Sequence, residues 1–259
     1  MKDVRHLLEI AKYAALDAGK AVMEVYQSEG FGTDLKTGGS PLTIADKRAH
    51  AIITGHLAKT NIPVLSEEGM NIDFGERKHW EYFWLVDPLD GTKEFIKKNG
   101  EFTINIALLR EGTPIGGVIY MPCNDTLYSG SKETGVFKKE KDSLAEFAPL
   151  SERIQFRDLL QRESIIVVAS RSHLNPETKD YISQFQNATI ISLGSSLKFM
   201  LLLENRADIY PRLGTTMEWD TAAAHAILNA SNRGVYREDL KSELRYNKPD
   251  LTNPFFIAF

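Results

Sequence analysis

Near the middle of the chain lies the segment Trp84-Leu85-Val86-Asp87-Pro88-Leu89-Asp90-Gly91-Thr92. The apolar residues before Asp87 predict a buried strand, which ends in two carboxylates on a turn that Pro88 makes rigid. An aspartate before a proline is common in type I turns, so one interpretation is a turn and nothing more. The other is a metal site, because two anions held this close need a cation. Hard divalent ions with oxygen ligands, Mg²⁺ above all, are the natural candidates.

The composition narrows the class of protein. With 259 residues, 42% hydrophobic and 25% charged, the chain is long enough for one or two globular domains with a large core. Its net charge of −4 gives no general attraction to nucleic acid, so we expect no such partner. The single cysteine, Cys123, excludes an internal disulfide and fits a reducing compartment. Because no apolar run approaches the roughly 20 residues that span a bilayer, we expect a cytoplasmic protein without a transmembrane segment.

Hydrophobic periodicity divides the chain into two parts. Helical spacing predicts helices over 4–27 and from about Thr43 to Ala58. A short strand is predicted over 62–66. The apolar strand before Asp87 comes next. Further β-prone runs separated by turn residues predict an antiparallel meander over 102–109, 114–121, 126–129 and 135–138. The highly charged stretch 138–162 is predicted to connect the domains.

The second part alternates between strand and helix patterns. Its first run, Ser164 to Ala169, is continuously apolar, which is typical of a strand covered on both faces. Predicted helices cover 176–185, 196–205 and 221–230, and predicted strands cover 189–193, 207–210, Val235 and 255–257. We therefore expect an N-terminal α+β domain with an antiparallel sheet, residues 1–145. We expect a C-terminal α/β domain with a mixed sheet, residues 146–259.

Acidic residues stand at element boundaries elsewhere in the chain as well. Glu67 and Glu68 follow the short strand, Asp220 lies where a helix begins, and Asp46 lies near the start of the second helix. Each has an ordinary explanation, as a helix N-cap, a capping-box residue or a solvated charge. Taken together they favour a ligand site, because α/β folds build such sites from the ends of their strands.

Three segments in this order resemble the signatures of the inositol monophosphatase-like superfamily of magnesium-dependent, often lithium-inhibited phosphatases. They are Ser66-Glu67-Glu68, Asp87-Pro88-Leu89-Asp90-Gly91-Thr92 and Trp219-Asp220. Residues 90–108 and the segments Ser170-Arg171-Ser172-His173 and Gly194-Ser195-Ser196-Leu197-Lys198-Phe199 are similar to its bacterial CysQ branch, the 3′(2′),5′-bisphosphate nucleotidases. The resemblance spans essentially the whole chain and implies a layered αβαβα fold of the sugar-phosphatase type.

The resemblance also implies roles for the acidic residues. The metal ligands would be Glu67, Asp87, the backbone carbonyl of Leu89, Asp90 and Asp220, holding two or three Mg²⁺ ions with Asp87 shared between two of them. Thr92 and Asp46 would orient the attacking water and take its proton, with assistance from Glu68.

Substrate contacts are implied on two sides of the site. On the metal side they are Glu67, Leu89, Asp90, Gly91, Thr92 and Asp220. On the nucleotide side they are Ser170, His173, Gly194, Ser195, Lys198 and Arg212. Lys198 and Arg212 are the positive groups that an acidic protein needs beside a second phosphate. The alternative is a lysine on an exposed helix face and an arginine at a strand end.

The implied activity is hydrolysis of the 3′-phosphate of adenosine 3′,5′-bisphosphate, which gives AMP and phosphate. The enzyme would also act on the sulfated form of this substrate. Its implied role is in sulfur assimilation and in removal of the bisphosphate. The alternatives are an inositol monophosphatase, a fructose 1,6-bisphosphatase of the same superfamily, or a non-catalytic metal-binding regulatory module. The partner would be a small molecule. The sequence leaves open whether the protein is a monomer or a homodimer, and whether it associates peripherally with the cytoplasmic face of the inner membrane.

Overall fold

The structure is a computed structural model that describes residues 2–28, 33–35, 41–69, 72–169 and 175–259, with the first two short strands described by their backbone only. Its helices are α1 (Val4–Gln27), α2 (Ile44–Leu57), α3 (Phe74–Arg77), α4 (Thr92–Ile96), α5 (Phe156–Leu160), α6 (Pro176–Ile182), α7 (Leu197–Leu203) and α8 (Ala222–Ala230). Its strands are β1 (Thr33–Leu35), β2 (Pro41–Thr43), β3 (Val64–Ser66), β4 (Tyr82–Asp90), β5 (Thr103–Arg110), β6 (Thr113–Met121), β7 (Thr126–Ser131), β8 (Gly135–Glu140), β9 (Ser143–Phe147), β10 (Ile165–Ala169), β11 (Ala188–Ser192), β12 (Tyr210–Arg212), β13 (Val235–Arg237) and β14 (Phe256–Ala258).

Among the described strands, β3 to β9 form one seven-stranded sheet in chain order. The pair β3–β4 is parallel and the remaining pairs are antiparallel, so the predicted meander is confirmed. The packing of strand β4 shows why its sequence is apolar from Tyr82 to Val86. Trp84 and Val86 pack with α1 and α2 in one core, whereas Phe83 and Leu85 pack with α7 and α8 in another. Helices therefore cover both faces of the sheet, which is the layered arrangement expected from the sequence.

Strand β6 brings the two helical layers close together at a pair of glycines. A Cβ atom on Gly116 would lie 3.0 Å from Leu8 of α1, and a Cβ on Gly117 would lie 2.2 Å from the carbonyl oxygen of Ala223 in α8. Any side chain at Gly117 would displace α8 from the sheet. This approach is relevant to function because Asp220 lies just before α8.

The second half contains both parallel and antiparallel strand pairs, as predicted. Strands β10 and β11 are parallel, and β12, β14 and β13 are antiparallel in that order. An isolated parallel bridge between Val167 and Ile209 joins the two groups. A third core, which includes Ile165, Val167 and Ile209, lies under α5 and α6.

Three details differ from the sequence-based expectations. Ile166 of β10 is 38% exposed, so the prediction of a strand covered on both faces is wrong there, because the outer strand β11 is itself largely exposed. The strand predicted from Ala207 begins at Tyr210 instead. Strand β9 was not predicted, because its exposed residues lack an apolar pattern. It crosses the proposed boundary at 145/146, and that boundary remains a prediction.

We expect Gly117→Ala to lower the free energy of unfolding by about 1–3 kcal/mol, because the added methyl group meets backbone of α8 that cannot move cheaply. Gly55→Ala is the matched control. Gly55 is an exposed helical glycine whose Cβ would have no neighbour within 4 Å, so alanine there raises stability by about 0.5–1 kcal/mol. Urea unfolding of both variants measures the two changes. A stabilising effect of both alanines would contradict the close approach of α8.

Candidate active site

The two aspartates of the central segment lie at the end of β4. Asp87 is 2% exposed and its Oδ1 accepts a hydrogen bond from the backbone N–H of Leu89 at 3.1 Å. The ladder between β4 and β5 is irregular between Asp87 and Asp90. The segment is therefore an irregular end of β4, held by its own side chain, and not the turn that the sequence predicted after Asp87. It presents its carboxylates toward acids from elsewhere in the chain.

Four other acids act on the buried carboxyl of Asp87. Burial raises its pKa well above 3.8, and the charges of Glu67, Asp90, Asp220 and Asp46 raise it further. The structure thus brings together the acidic residues that the sequence singled out. Repulsion among buried anions of this kind is characteristic of functional sites.

A different element delivers each acid. Glu67 follows β3, whose last residue Ser66 lies beside Val86 of β4, so the parallel pairing places Glu67 next to Asp87. Asp46 lies in the first turn of α2 and is fully buried. Asp220 ends a short 3-10 turn before α8, and its Oδ2 accepts the N–H of Met217 at 2.9 Å, so it caps this turn rather than α8.

The acids differ in how their charge is balanced. The pKa of Asp220 is raised to about 8 by burial and by Asp90 and Glu67, while the N–H of Met217 and the charge of Arg212 oppose the rise. From the described residues, Asp90 accepts several hydrogen bonds at Oδ2, donated by Ser195, Ser196 and Asn105.

These groups fit a hard divalent cation. On Asp87, Asp90 and Asp220, described residues donate to one carboxylate oxygen only, so the other oxygen can accept another ligand. Oxygen ligands of this type suit Mg²⁺. Within the described ranges, no three acidic, histidine or cysteine side chains converge on one point as a ready metal-binding group. The carboxylates of these residues are near enough for their charges to act on Asp87, but they do not converge on one point.

The predicted nucleotide-side residues line a cleft beside these acids. Its walls come from both halves of the chain: Asp90, Gly91, Lys93, Glu94, Lys97, Asn99, Glu101, Leu193, Gly194, Ser195, Lys198, Phe199, Tyr210, Arg212, Thr216, Asp220, Thr221 and Phe256. Ser170 and His173, which were also predicted, lie outside the described residues.

Lys198 is not on an exposed helix face, so that alternative is wrong. It is 8% exposed, and its ammonium group donates to the carbonyl oxygens of Ser195 at 2.6 Å and Leu193 at 3.3 Å. Burial lowers its pKa to about 8; the charge of Asp90 opposes this change and that of Arg212 adds to it. Arg212 is half-buried and donates to the carbonyl of Thr215 at 3.1 Å.

The remaining predicted residues lie close to the turn. Gly91 has a φ of 96°, a conformation that glycine adopts without strain, and α4 begins at Thr92. The hydroxyl of Thr92 lies 3.4 Å from the carbonyl oxygen of Leu89. Glu68 follows Glu67 in a short 3-10 turn, and both are half-buried.

The sequence-based reasoning missed several polar residues at the site. Asn105 and Thr103 lie on β5 and contact the carboxylate of Asp90 and the hydroxyl of Ser195, respectively. Ser196 contacts Asp90 directly, and Glu101 accepts the N–H of Gly194 at 2.8 Å. Asn105 could have been found, because a buried amide within an apolar strand requires a partner.

A family model described as the inositol monophosphatase family matches residues 3–248. The chain belongs to the inositol monophosphatase family. Enzymes of this family are generally Mg²⁺-dependent. The structure supports this membership, since all four segments that carry the acids meet at one place.

Relatives place the chain within the family. It is 44% identical over 228 residues to the 3′(2′),5′-bisphosphate nucleotidase CysQ of Escherichia coli K12, covering 86% of this chain and 87% of the relative. Its identity with CysQ of Haemophilus influenzae is 34% over 256 residues, covering 97% and 92%. The crystal structure of CysQ from Bacteroides thetaiotaomicron matches with a TM-score of 0.82 and 43% identity, covering 96% of this chain and 95% of that chain.

Across the described ranges, each helix is too short or too polar to cross a bilayer.

In the presence of a chelator, we expect Asp220→Asn to weaken the pH dependence of stability. The pKa of this carboxyl is about 8 in the folded chain, compared with the ordinary aspartate value of 3.8 in an unfolded chain. Between these values the folded state holds a proton that the unfolded state has released, so the free energy of unfolding falls as pH rises. Asparagine cannot ionise. In the variant, the free energy of unfolding should therefore decrease less steeply as pH rises.

Urea unfolding midpoints in EDTA at about pH 5 and about pH 8 measure the effect. Asp250→Asn, at an exposed carboxyl outside the cleft, is the control and should keep the wild-type difference between the two midpoints. An Asp220→Asn variant with the same difference as wild type would contradict the assignment.

Proposed function

We propose that the chain is a Mg²⁺-dependent phosphomonoesterase that removes the 3′-phosphate of adenosine 3′,5′-bisphosphate, giving AMP and phosphate, and that it also acts on the sulfated form. The observation that carries the chemistry is the set of four acids acting on buried Asp87. The nucleotide substrate is supported by the 42–44% identity to relatives named as 3′(2′),5′-bisphosphate nucleotidases. A role in sulfur assimilation and in removal of the bisphosphate fits this substrate.

Five groups are proposed to hold two or three Mg²⁺ ions: Glu67, Asp87, the carbonyl oxygen of Leu89, Asp90 and Asp220. Asp87 is the natural shared ligand, because each of the other three carboxylates acts on it. Magnesium, when bound, would neutralise these charges, polarise the phosphate and lower the pKa of the attacking water. The hydrogen bonds that already hold Asp87, Asp90 and Asp220 would orient their remaining oxygens.

Thr92 and Asp46 are proposed to orient the attacking water and to accept its proton. The Thr92 hydroxyl lies near the Leu89 carbonyl at the start of α4, so it adjoins the proposed ligands. Asp46 supplies the carboxylate that can take the proton, and its charge acts on Asp87. Glu68 would assist from beside Glu67. A protein that only bound metal would need neither Thr92 nor Asp46, which disfavours a regulatory module.

The cleft offers separate surfaces to the two ends of a bisphosphate. The phosphate to be removed would lie at the acids and contact Gly91 and Thr92. The second phosphate would lie toward Lys198 and Arg212, which share the cleft with Asp90 and Asp220. Charge-assisted hydrogen bonds from these two cations would favour a bisphosphate over a monophosphate. Ser170, His173, Gly194 and Ser195 complete the proposed contacts.

We also propose that the cleft lies between an N-terminal domain, residues 1–145, and a C-terminal domain, residues 146–259. Asp90 to Glu101 form one wall and Leu193 to Phe256 form the other. Substrate would therefore contact both domains at once.

Phosphate release from a substrate panel tests the function. We expect turnover of adenosine 3′,5′-bisphosphate and its sulfated form, dependent on added Mg²⁺ after chelation and inhibited by Li⁺. Asp87→Asn should be inactive, because it removes the carboxylate proposed to be shared between the metal ions, and Asp250→Asn should match wild type. Full activity without divalent cations would refute the metal mechanism. Turnover confined to inositol 1-phosphate or fructose 1,6-bisphosphate would support a sister phosphatase instead.

We expect Lys198→Met to discriminate between substrates with one and two phosphates. Methionine keeps an aliphatic stem in the buried site but deletes the charge, so kcat/KM for the bisphosphate should fall by the equivalent of about 1–3 kcal/mol. The value for 3′-AMP should fall much less. Lys59→Met, at an exposed lysine outside the cleft, is the control. Equal losses for both substrates would remove Lys198 from the second-phosphate site.

A further inference from the structure

One carboxylate oxygen of Asp90 accepts hydrogen bonds from both halves of the chain. Oδ2 accepts hydrogen bonds from the hydroxyl of Ser195 at 2.8 Å, the backbone N–H of Ser196 at 2.8 Å and the hydroxyl of Ser196 at 2.9 Å. The amide of Asn105 lies 3.3 Å from the same oxygen. These donors fill the hydrogen-bonding capacity of Oδ2. Oδ1 accepts no hydrogen bond from the described residues and is therefore the oxygen available to a further ligand.

Ser196 links Asp90 to Asp220. Its hydroxyl oxygen lies 2.9 Å from Oδ2 of Asp90 and 3.0 Å from the backbone carbonyl oxygen of Asp220, and its single hydrogen is shared between these acceptors. The amide of Asn105 donates to the same hydroxyl oxygen at 2.8 Å. Ser196 is 2% exposed and Asn105 is 1% exposed, so both lie on the buried side of the carboxylates, away from solvent.

The backbone around Ser196 is held in an unusual conformation. Ser195 has a φ of 54°, in the left-handed region that non-glycine residues rarely adopt. This turn directs the hydroxyl of Ser195 and the N–H of Ser196 to the same oxygen of Asp90. The preceding Gly194 packs so closely that a Cβ there would lie 2.7 Å from the carbonyl oxygen of Glu101. Strained backbone persists only where its surroundings determine it, and it is concentrated at functional sites.

We propose that Ser196 and Asn105 are positioning residues for metal binding: they orient Asp90 so that Oδ1 faces the site, and they set the distance between Asp90 and Asp220. Neither residue would itself be a ligand of the ion. The inference rests on the proposed magnesium site. Hydrogen-bond partners behind metal-ligating carboxylates are typically worth about 10–100-fold in metal affinity.

Calorimetric titration of Mn²⁺ into the metal-stripped full-length chain tests this role. We expect Ser196→Ala and Asn105→Ala to raise the Kd for Mn²⁺ by about tenfold or more. The Mg²⁺ concentration that half-saturates turnover should rise in parallel, whereas KM measured at saturating Mg²⁺ changes little. Urea unfolding of the metal-free variants separates this effect from a general loss of stability, which would leave the Kd of the folded chain unchanged.

Ser231→Ala is the matched control. Ser231 is 3% exposed and its hydroxyl donates to the carbonyl oxygen of Leu228 at 2.8 Å, so the same atom is deleted away from Asp90. Its Kd for Mn²⁺ should equal that of wild type. Asn105→Ala provides an independent test if Ser196→Ala does not fold.

A wild-type Kd in either folded variant, or an equal weakening by Ser231→Ala, would overturn the positioning role while leaving the proposed function intact. If the wild-type chain itself failed to bind Mn²⁺, the proposed metal chemistry would fail together with the positioning role.

Discussion

Repulsion among the carboxylates around Asp87 is the constraint on which the rest of the cleft depends. Asp87 lies out of reach of solvent, and Glu67, Asp90, Asp220 and Asp46 all raise its pKa. Burying anions without compensation is costly, so neighbouring groups must offset the charge. Backbone N–H groups and hydroxyls occupy one oxygen each of Asp87, Asp90 and Asp220, and Lys198 and Arg212 add positive charge nearby. Mutual repulsion of these carboxylates destabilises the folded chain, and a destabilising cluster of this kind is expected where function requires it.

The fold holds these acids together through contacts far from the cleft. Parallel pairing of β3 with β4 places Glu67 beside Asp87, and the close approach of α8 to Gly117 sets the position of the chain after Asp220. Glu218, which is fully buried in the turn before Asp220, accepts the backbone N–H groups of Asn247 at 2.6 Å and Lys248 at 3.0 Å. The C-terminal loop therefore anchors the turn that presents Asp220. The stability of distant loops and the geometry of the cleft are thereby coupled.

Local patterns predicted much of the fold correctly. The apolar stripe of α1 predicted its full length, and the apolar run 82–86 of β4 proved to be covered by helices on both faces. Strand β9 was not predicted from the sequence, because an exposed edge strand needs no apolar pattern. Its position is specified by its pairing with β8. The exposure of Ile166 was also missed, because the number of neighbours covering a strand is a property of the sheet and not of the strand.

The sequence by itself determined which chemical groups the site contains: two carboxylates at the end of a buried strand, a proline between them and a hydroxyl beside them. These follow from composition and from backbone preferences that act over a few residues. Only the tertiary structure decided that Ser196 and Asn105 both meet Asp90, and that Lys198 is buried between carbonyl groups. Ser196 and Asp90 are 106 positions apart in the chain, and Asn105 and Ser196 are 91 apart. Contacts at such separations depend on how helices pack against the sheet, and no local preference encodes that packing.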